Sequence, residues 1–346
     1  MTVDKKRIEF IDLAKGICIL LVVLLHVVPQ LSEKFAYLSC LRMPLYFCLS
    51  GLFYKNYGSI KNFTIKKVNN ILIPFISWYI IGYGIYYIGR LFMPSGEEST
   101  FHFNDIIFQN EIFNLPIWFL LCLFWSNLLF NLITSFARKW YYQLSGVMVV
   151  AIIGLIWSKS GVFNFLYLGS SMTCLPFFYM GYALKQTTLL YPESDKKKDF
   201  VIMCACLIIS SVLAFMPDSV PRLNYYKNEI LAGNIISIYF CSIFFVIGVL
   251  LLCKFIKNIP FISWLGRYSI IVLVSHMWLR DVISTLFNKA IGLNISELYR
   301  DLIVFAIIII SMSVVIPLFK KYLPYITAQK GLLKTSSNNM VALLNK

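Results

Sequence analysis

The chain has 346 residues, of which 59% are hydrophobic and only 14% charged, with a mean hydropathy of +0.75, and this excludes an ordinary soluble domain. A net charge of +15 would suit nucleic acid, but the Lys and Arg residues gather in short clusters between apolar runs, as a membrane-topology signal does. Nine cysteines are scattered, mostly inside those runs (Cys18, Cys48, Cys122, Cys204, Cys206, Cys241, Cys253). With no C-x-x-C pair and no metal-ligand spacing they read as small apolar packing residues, and no metal is expected.

Lys5, Lys6 and Arg7 precede an apolar run from Ile11 to Leu31. The run is too long for a signal-peptide core, contains Asp12, Lys15 and His26, and has no small-residue cleavage site, so it reads as the first membrane span. Further spans are predicted at 35–54, 70–92, 117–136, 143–159, 163–185, 200–217, 231–253, 268–288 and 299–322, each near the roughly 20 residues a bilayer requires. The expectation is an all-α polytopic transmembrane helix bundle of about ten helices. Placing both termini in the cytoplasm puts most of the Lys and Arg residues inside. Residues 1–330 read as one integral membrane domain and 331–346 as a polar cytoplasmic tail. The fifth and sixth spans are separated by a short break at Ser158 to Gly161, and Pro176 interrupts the sixth. The longest outward loop, about Arg90 to Pro116, carries Glu97, Glu98, His102, Asp105 and Glu111.

Asp12, Lys15 and His26 place three ionisable groups on the first span, where such residues are costly and point to function. Lys15 and His26 are eleven residues apart, close to three full turns, so they share a face about 16 Å apart along the axis. Asp12 lies one turn below Lys15 on that stripe. The structural alternative is that Lys15 snorkels and pairs with Asp12 while His26 hydrogen-bonds a neighbouring helix. The functional reading is that an imidazole in a dry site takes and returns a proton. His276, in the ninth span, lies at a depth that lets it line the same cavity. Met43-Pro44-Leu45 leading to Ser50-Gly51 suits tight packing or a cavity wall. Pro116-Ile117-Trp118-Phe119 opens the fourth span and suits an interfacial anchor.

These residues resemble the acyltransferase family 3 integral membrane proteins, in particular their fucose 4-O-acetylase-like branch, over nearly the whole chain. The basic residue, ten residues and a histidine of the family's first helix appear as Lys15 to His26 within Ile11-Asp12-Leu13-Ala14-Lys15-Gly16. The aromatic second-helix signature appears as Tyr46-Phe47-Cys48-Leu49-Ser50-Gly51. Trp118-Phe119-Leu120, Phe178-Tyr179-Met180-Gly181-Tyr182 and Leu265-Gly266-Arg267-Tyr268-Ser269 follow in the family's order. Where relatives often carry Arg-x-x-Arg at the third span, this chain has Lys66, Lys67, Asn69 and Asn70. Where many have Phe-His before Met-Pro-Leu, it has Leu41-Arg42.

The resemblance implies a bacterial inner-membrane enzyme moving an acyl group, usually acetyl, from cytoplasmic acyl-CoA to a hydroxyl of a cell-surface glycan or lipid-linked sugar. On that basis His26, His276 and Asp12 are the expected catalytic group. Lys15, Lys66, Lys67, Arg267 and Ser50 are expected to hold acetyl-CoA, and Arg42, Trp118 and Glu111 to meet the carbohydrate acceptor. Two rival classes use the same residues: a transporter of glycan or lipid-linked sugar with a charged pathway, and a non-catalytic subunit or sensor.

Overall fold

The computed structural model describes residues 9–92, 115–191, 194–215, 222–232, 234–291 and 295–334. In chain order these form α1 (Glu9–Val27), α2 (Pro29–Lys34), α3 (Ser39–Leu52), α4 (Ile60–Lys67), α5 (Ile73–Phe92), α6 (Trp118–Phe136), α7 (Trp140–Lys159), α8 (Leu168–Leu184) and α9 (Lys196–Ala214). Strands β1 (Arg222–Asn224) and β2 (Glu229–Ala232) come next, followed by α10 (Ile235–Ile256), α11 (Pro260–Arg267), α12 (Ser269–Ile291) and α13 (Glu297–Tyr322). The protein is an all-α membrane protein, and every predicted span falls on a helix.

Seven helical stretches among the described residues are long and apolar enough to cross a bilayer: Glu9–Val27, Ile60–Ile85, Trp118–Phe136, Trp140–Lys159, Ile235–Ile256, Ser269–Phe287 and Glu297–Tyr322. The remaining three predicted spans map to α3, α8 and α9. With 14 and 17 residues, α3 and α8 fall short of the roughly 20-residue requirement, and α9 opens on Lys196-Lys197-Lys198-Asp199. The third predicted span starts earlier than its apolar run, because α4 continues through a π-turn at Val68–Leu72 into α5. Pro176 sits inside α8 without ending it. Antiparallel β1 and β2 pair Leu223 with Ile230 and Asn224 with Glu229. This hairpin lies between apolar runs, where hydropathy carries no signal, and it delays the start of α10 to Ile235. The predicted outward loop falls largely on residues 93–114 and the polar tail on 335–346, both outside the described residues.

The chain divides into two compact units. The first comprises Met1–Phe53, Phe177–Tyr225 and Glu229–Ser313, with α1 at its centre. Most of α1 is buried, and it packs against α3, α10, α11 and α12. Leu13, Ala14, Cys18, Leu45, Cys48, Leu250 and Cys253 form the core of this unit. The cysteines serve there as the small packing residues the sequence suggests.

The second unit comprises Tyr54–Pro176, Tyr226–Asn228 and Val314–Lys346. Buried amides organise it. Asn69 donates to the Leu333 carbonyl (2.8 Å) and accepts from the Leu333 N–H (2.7 Å), fixing the chain after α13 as a neighbouring strand would. Asn228 donates to the Gly154 carbonyl at 3.0 Å and accepts from Thr173 at 2.9 Å. Asn164 donates to Ser170 (2.7 Å) and to the Tyr226 carbonyl (3.1 Å). Amides matched in this way are tolerated in a low-dielectric interior because their donors and acceptors are occupied.

Candidate active site

The site in the first unit starts from two glycine crossings that bring the sequence motifs together. A Cβ on Gly266 would lie 1.9 Å from the Asp12 carbonyl oxygen, and one on Gly16 would lie 2.0 Å from the Ile262 carbonyl oxygen. The backbones of α1 and α11 therefore touch, as they can only where both faces lack side chains. The Asp-Leu-Ala-Lys-Gly and Leu-Gly-Arg segments are thus two halves of one contact. Its product is an ion pair at the start of α1, with Arg267 Nε 3.5 Å from an Asp12 carboxylate oxygen.

A second crossing joins α3 to α8. A Cβ on Gly51 would lie 1.8 Å from the Phe178 carbonyl oxygen, and one on Gly181 would lie 1.8 Å from the Cys48 carbonyl oxygen. The Ser-Gly and Met-Gly-Tyr signatures are therefore also partners. Tyr46, from the same signature, donates its hydroxyl to the Lys15 carbonyl at 3.4 Å, and Lys15 Nζ lies 4.7 Å from the centroid of the Phe53 ring. Asp12, Lys15 and Arg267 thus form a charged cluster at the N-terminal end of α1. The Arg267 side chain is 39% exposed and the Asp12 side chain 6%.

At the other end of α1, about 16 Å along the axis, His26 meets His276 from α12. The Nδ1 of His26 and the Nε2 of His276 are 3.3 Å apart, and the rings stack with centroids 5.4 Å apart and planes at 24°. His276 is fully buried (0%), whereas His26 keeps part of its surface open. The Nδ1 of His276 lies 2.9 Å from the Val272 carbonyl oxygen. A carbonyl only accepts, so the neutral His276 ring carries its proton on Nδ1 and presents a lone pair at Nε2. His26 must then donate from Nδ1 to that lone pair, leaving its own Nε2 unprotonated. The backbone carbonyl of one turn thereby sets the tautomer of both rings.

Two guanidinium groups lie within electrostatic range of the His26 ring, those of Arg280 and Arg42. Arg280 donates to the His26 carbonyl at 3.4 Å and pairs with Asp281 at 2.6 Å. It sits four residues after His276, on the same face of α12, a spacing that would have singled it out in the sequence. Arg42 lies in the first turn of α3, where its carbonyl accepts the Cys18 thiol at 3.0 Å. Ser50 is half-buried on α3 beside Gly51 and is not hydrogen-bonded to the imidazole pair.

The remaining expected site residues belong to the second unit or lie outside the described residues. Lys66 and Lys67 end α4, with Lys67 Nζ 5.3 Å from the Phe63 ring centroid. Trp118 opens α6 and packs with Tyr167 (5.6 Å between centroids) and Tyr226 (5.9 Å). It is 8% exposed, an interior aromatic. Glu111 lies outside the described residues.

A membrane helix bundle holding a buried imidazole pair, with a charged cluster at the far end of the same helix, defines an integral membrane protein equipped for proton transfer. The family model described as an acyltransferase domain matches residues 8–320, and the chain belongs to acyltransferase family 3. It is a multi-pass membrane acyltransferase. No curated protein and no solved structure matches it.

Proposed function

We propose that this protein is an O-acetyltransferase of the bacterial cytoplasmic membrane, akin to the fucose 4-O-acetylase-like branch, with both termini in the cytoplasm. Its donor is acetyl-CoA and its acceptor a hydroxyl of a cell-surface glycan or lipid-linked sugar. The observation that carries this reading is the hydrogen-bonded pair His26 and His276, in which the partly open ring has its Nε2 lone pair free.

The chemistry follows from that tautomer. His26 Nε2 takes the proton from the acceptor hydroxyl as its oxygen bonds to the thioester carbonyl carbon. The tetrahedral oxyanion collapses with cleavage of the carbon–sulfur bond. The departing thiolate then recovers the proton from His26, giving an ester and free CoA. Enclosure among apolar helices keeps water, the competing acceptor, away from the thioester. His276 is a positioning residue, since it is fully buried and acts through His26. Lys15 and Arg267 hold the anionic phosphates of the donor at the N-terminal end of α1, with Arg267 offering a planar fork and Asp12 orienting it. Ser50, half-buried beside Gly51 on α3, lines the acyl path.

His26→Gln tests this reading. The purified variant is expected to insert and melt normally yet release no free CoA from acetyl-CoA in the presence of an acceptor extract. Wild-type turnover in that variant would refute the assignment. A transporter would release no CoA in the wild type either.

A further inference from the structure

Arg42 is an anomaly of charge. Arg267, Arg280 and Arg300 each pair with a carboxylate, on Asp12 at 3.5 Å, Asp281 at 2.6 Å and Asp301 at 3.1 Å. Arg42 pairs with none among the described residues, and its Nε is buried with no hydrogen-bond partner. Arginine does not escape burial by losing its proton, and an ion taken out of water without a counter-charge costs several kcal/mol. A guanidinium whose Nε is buried and unpartnered at the start of a bundle helix is therefore expected to meet an anion in the working state.

Its position says which one. The thiol of Cys18 holds the first turn of α3 against α1, and helical side chains lean toward the N-terminus of their own helix. The Arg42 side chain accordingly reaches toward the His26 end of α1, within electrostatic range of the imidazole. The donor's phosphates belong to the other end, at Lys15 and Arg267, about 16 Å from His26 along the axis. The group that meets Arg42 therefore enters with the acceptor. Arg280, whose charge Asp281 already balances, flanks the same place without creating the same demand.

We infer that Arg42 receives a negatively charged group of the acceptor, placed so that the neighbouring hydroxyl lies at His26 Nε2. The acceptor is then an anionic sugar, its charge a ring carboxylate or the phosphate that links a sugar to lipid. A planar fork suits either group through two parallel hydrogen bonds. The inference rests on the reading of His26 as the base that serves the acceptor hydroxyl.

The test uses the full-length protein in a neutral maltoside detergent and three probes: octyl glucuronide, geranyl phosphate and neutral octyl glucoside. Binding is read as displacement of the melting curve across a concentration series. At least one anionic probe is expected to bind tenfold or more tightly than octyl glucoside. A response to the glucuronide alone names a carboxylate, and one to the phosphate alone names a phosphate-linked sugar. Arg42→Gln should erase the preference and Arg42→Lys should reduce it, whereas Lys257→Gln, which removes an exposed charge just after α10, should leave it intact.

His26→Gln should retain the preference while losing transfer, which separates this inference from the assignment of the base. If Arg42→Gln does not fold, Arg42→Lys decides alone, because it keeps the charge and loses the fork. The inference is overturned if the wild type shows no preference, if the Arg42 variants keep it undiminished, or if 3′-phosphoadenosine 5′-phosphate, which mimics the donor's phosphates, displaces the anionic probe. A fall in kcat with unchanged probe binding would also overturn it, since that would make Arg42 a group for the transient oxyanion.

Discussion

Replacing His276 probes whether the imidazole pair is a catalytic device or only a packed contact. His276→Ala removes the acceptor 3.3 Å from His26 Nδ1 and frees the Val272 carbonyl that fixed the tautomer. A donor left without its partner in such a setting loses about 1–3 kcal/mol. Part of that loss appears as rotation of the His26 ring and part as protonation of the wrong nitrogen. At about 1.4 kcal/mol per factor of ten, kcat should fall by roughly one to two orders of magnitude. KM for either substrate should change little, because His276 touches neither. His276→Gln offers a side-chain oxygen in place of Nε2 and should recover part of the loss. The assay is release of free CoA by purified protein, with melting curves to confirm that both variants fold. Equal turnover in His276→Ala and wild type, or no difference between the Ala and Gln variants, would remove His276 from the mechanism.

Two further predictions concern the framework. Gly51→Ala puts a methyl group 1.8 Å from the Phe178 carbonyl oxygen, so α3 and α8 must separate by more than an ångström. A melting experiment in detergent should show a loss of 1–3 kcal/mol or more. Gly84→Ala in α5, where no atom lies within 4 Å of the new Cβ, should leave stability unchanged or slightly higher. The second prediction concerns the Lys254 ammonium, which binds Asp199 at 2.7 Å as well as the Ser194 hydroxyl. Burial works to raise the Asp199 carboxyl, but Lys254 and Ser194 outweigh it and hold it below the usual carboxylate range. A folded value below the unfolded one means that this stabilisation is complete at neutral pH and is lost as pH falls through the folded value. Lys254→Met should cost roughly 3 kcal/mol at pH 7, because it strands a buried carboxylate. Adding Asp199→Asn should restore much of that loss, as melting curves of the single and double variants will show.

The helices were legible because a bilayer imposes length and polarity on each of them, and α1, α6, α7, α10, α12 and α13 follow the apolar runs closely. The count of crossings was less so. Hydropathy averages over a window and cannot tell a short helix sheltered by its neighbours, as α3 is, from one that faces lipid along its whole length. The stripe that joins Lys15 to His26 was legible because it depends only on helical periodicity. Partners from other helices were not. Spacing along α1 offers Lys15 to Asp12, and only the crossing at Gly16 and Gly266 adds Arg267. Likewise His276 stands in an apolar run with no local cue, and its contact with His26 appears once α12 lies beside α1.

The same distinction explains why the glycines and the ionisable residues occur together in these motifs. A proton-transfer pair needs its nitrogens fixed to within a few tenths of an ångström, and a long flexible side chain cannot supply that. Backbone-to-backbone contact can. By removing two Cβ atoms at each crossing, Gly16 with Gly266 and Gly51 with Gly181 clamp α11 onto α1 and α8 onto α3, so that the position of α1 is set by main-chain atoms. On the proposed reading, proton transfer at His26 depends on that rigidity. A substitution at Gly16, about 15 Å along the helix from the imidazole by rise per residue, should therefore lower turnover, read as release of free CoA by purified protein.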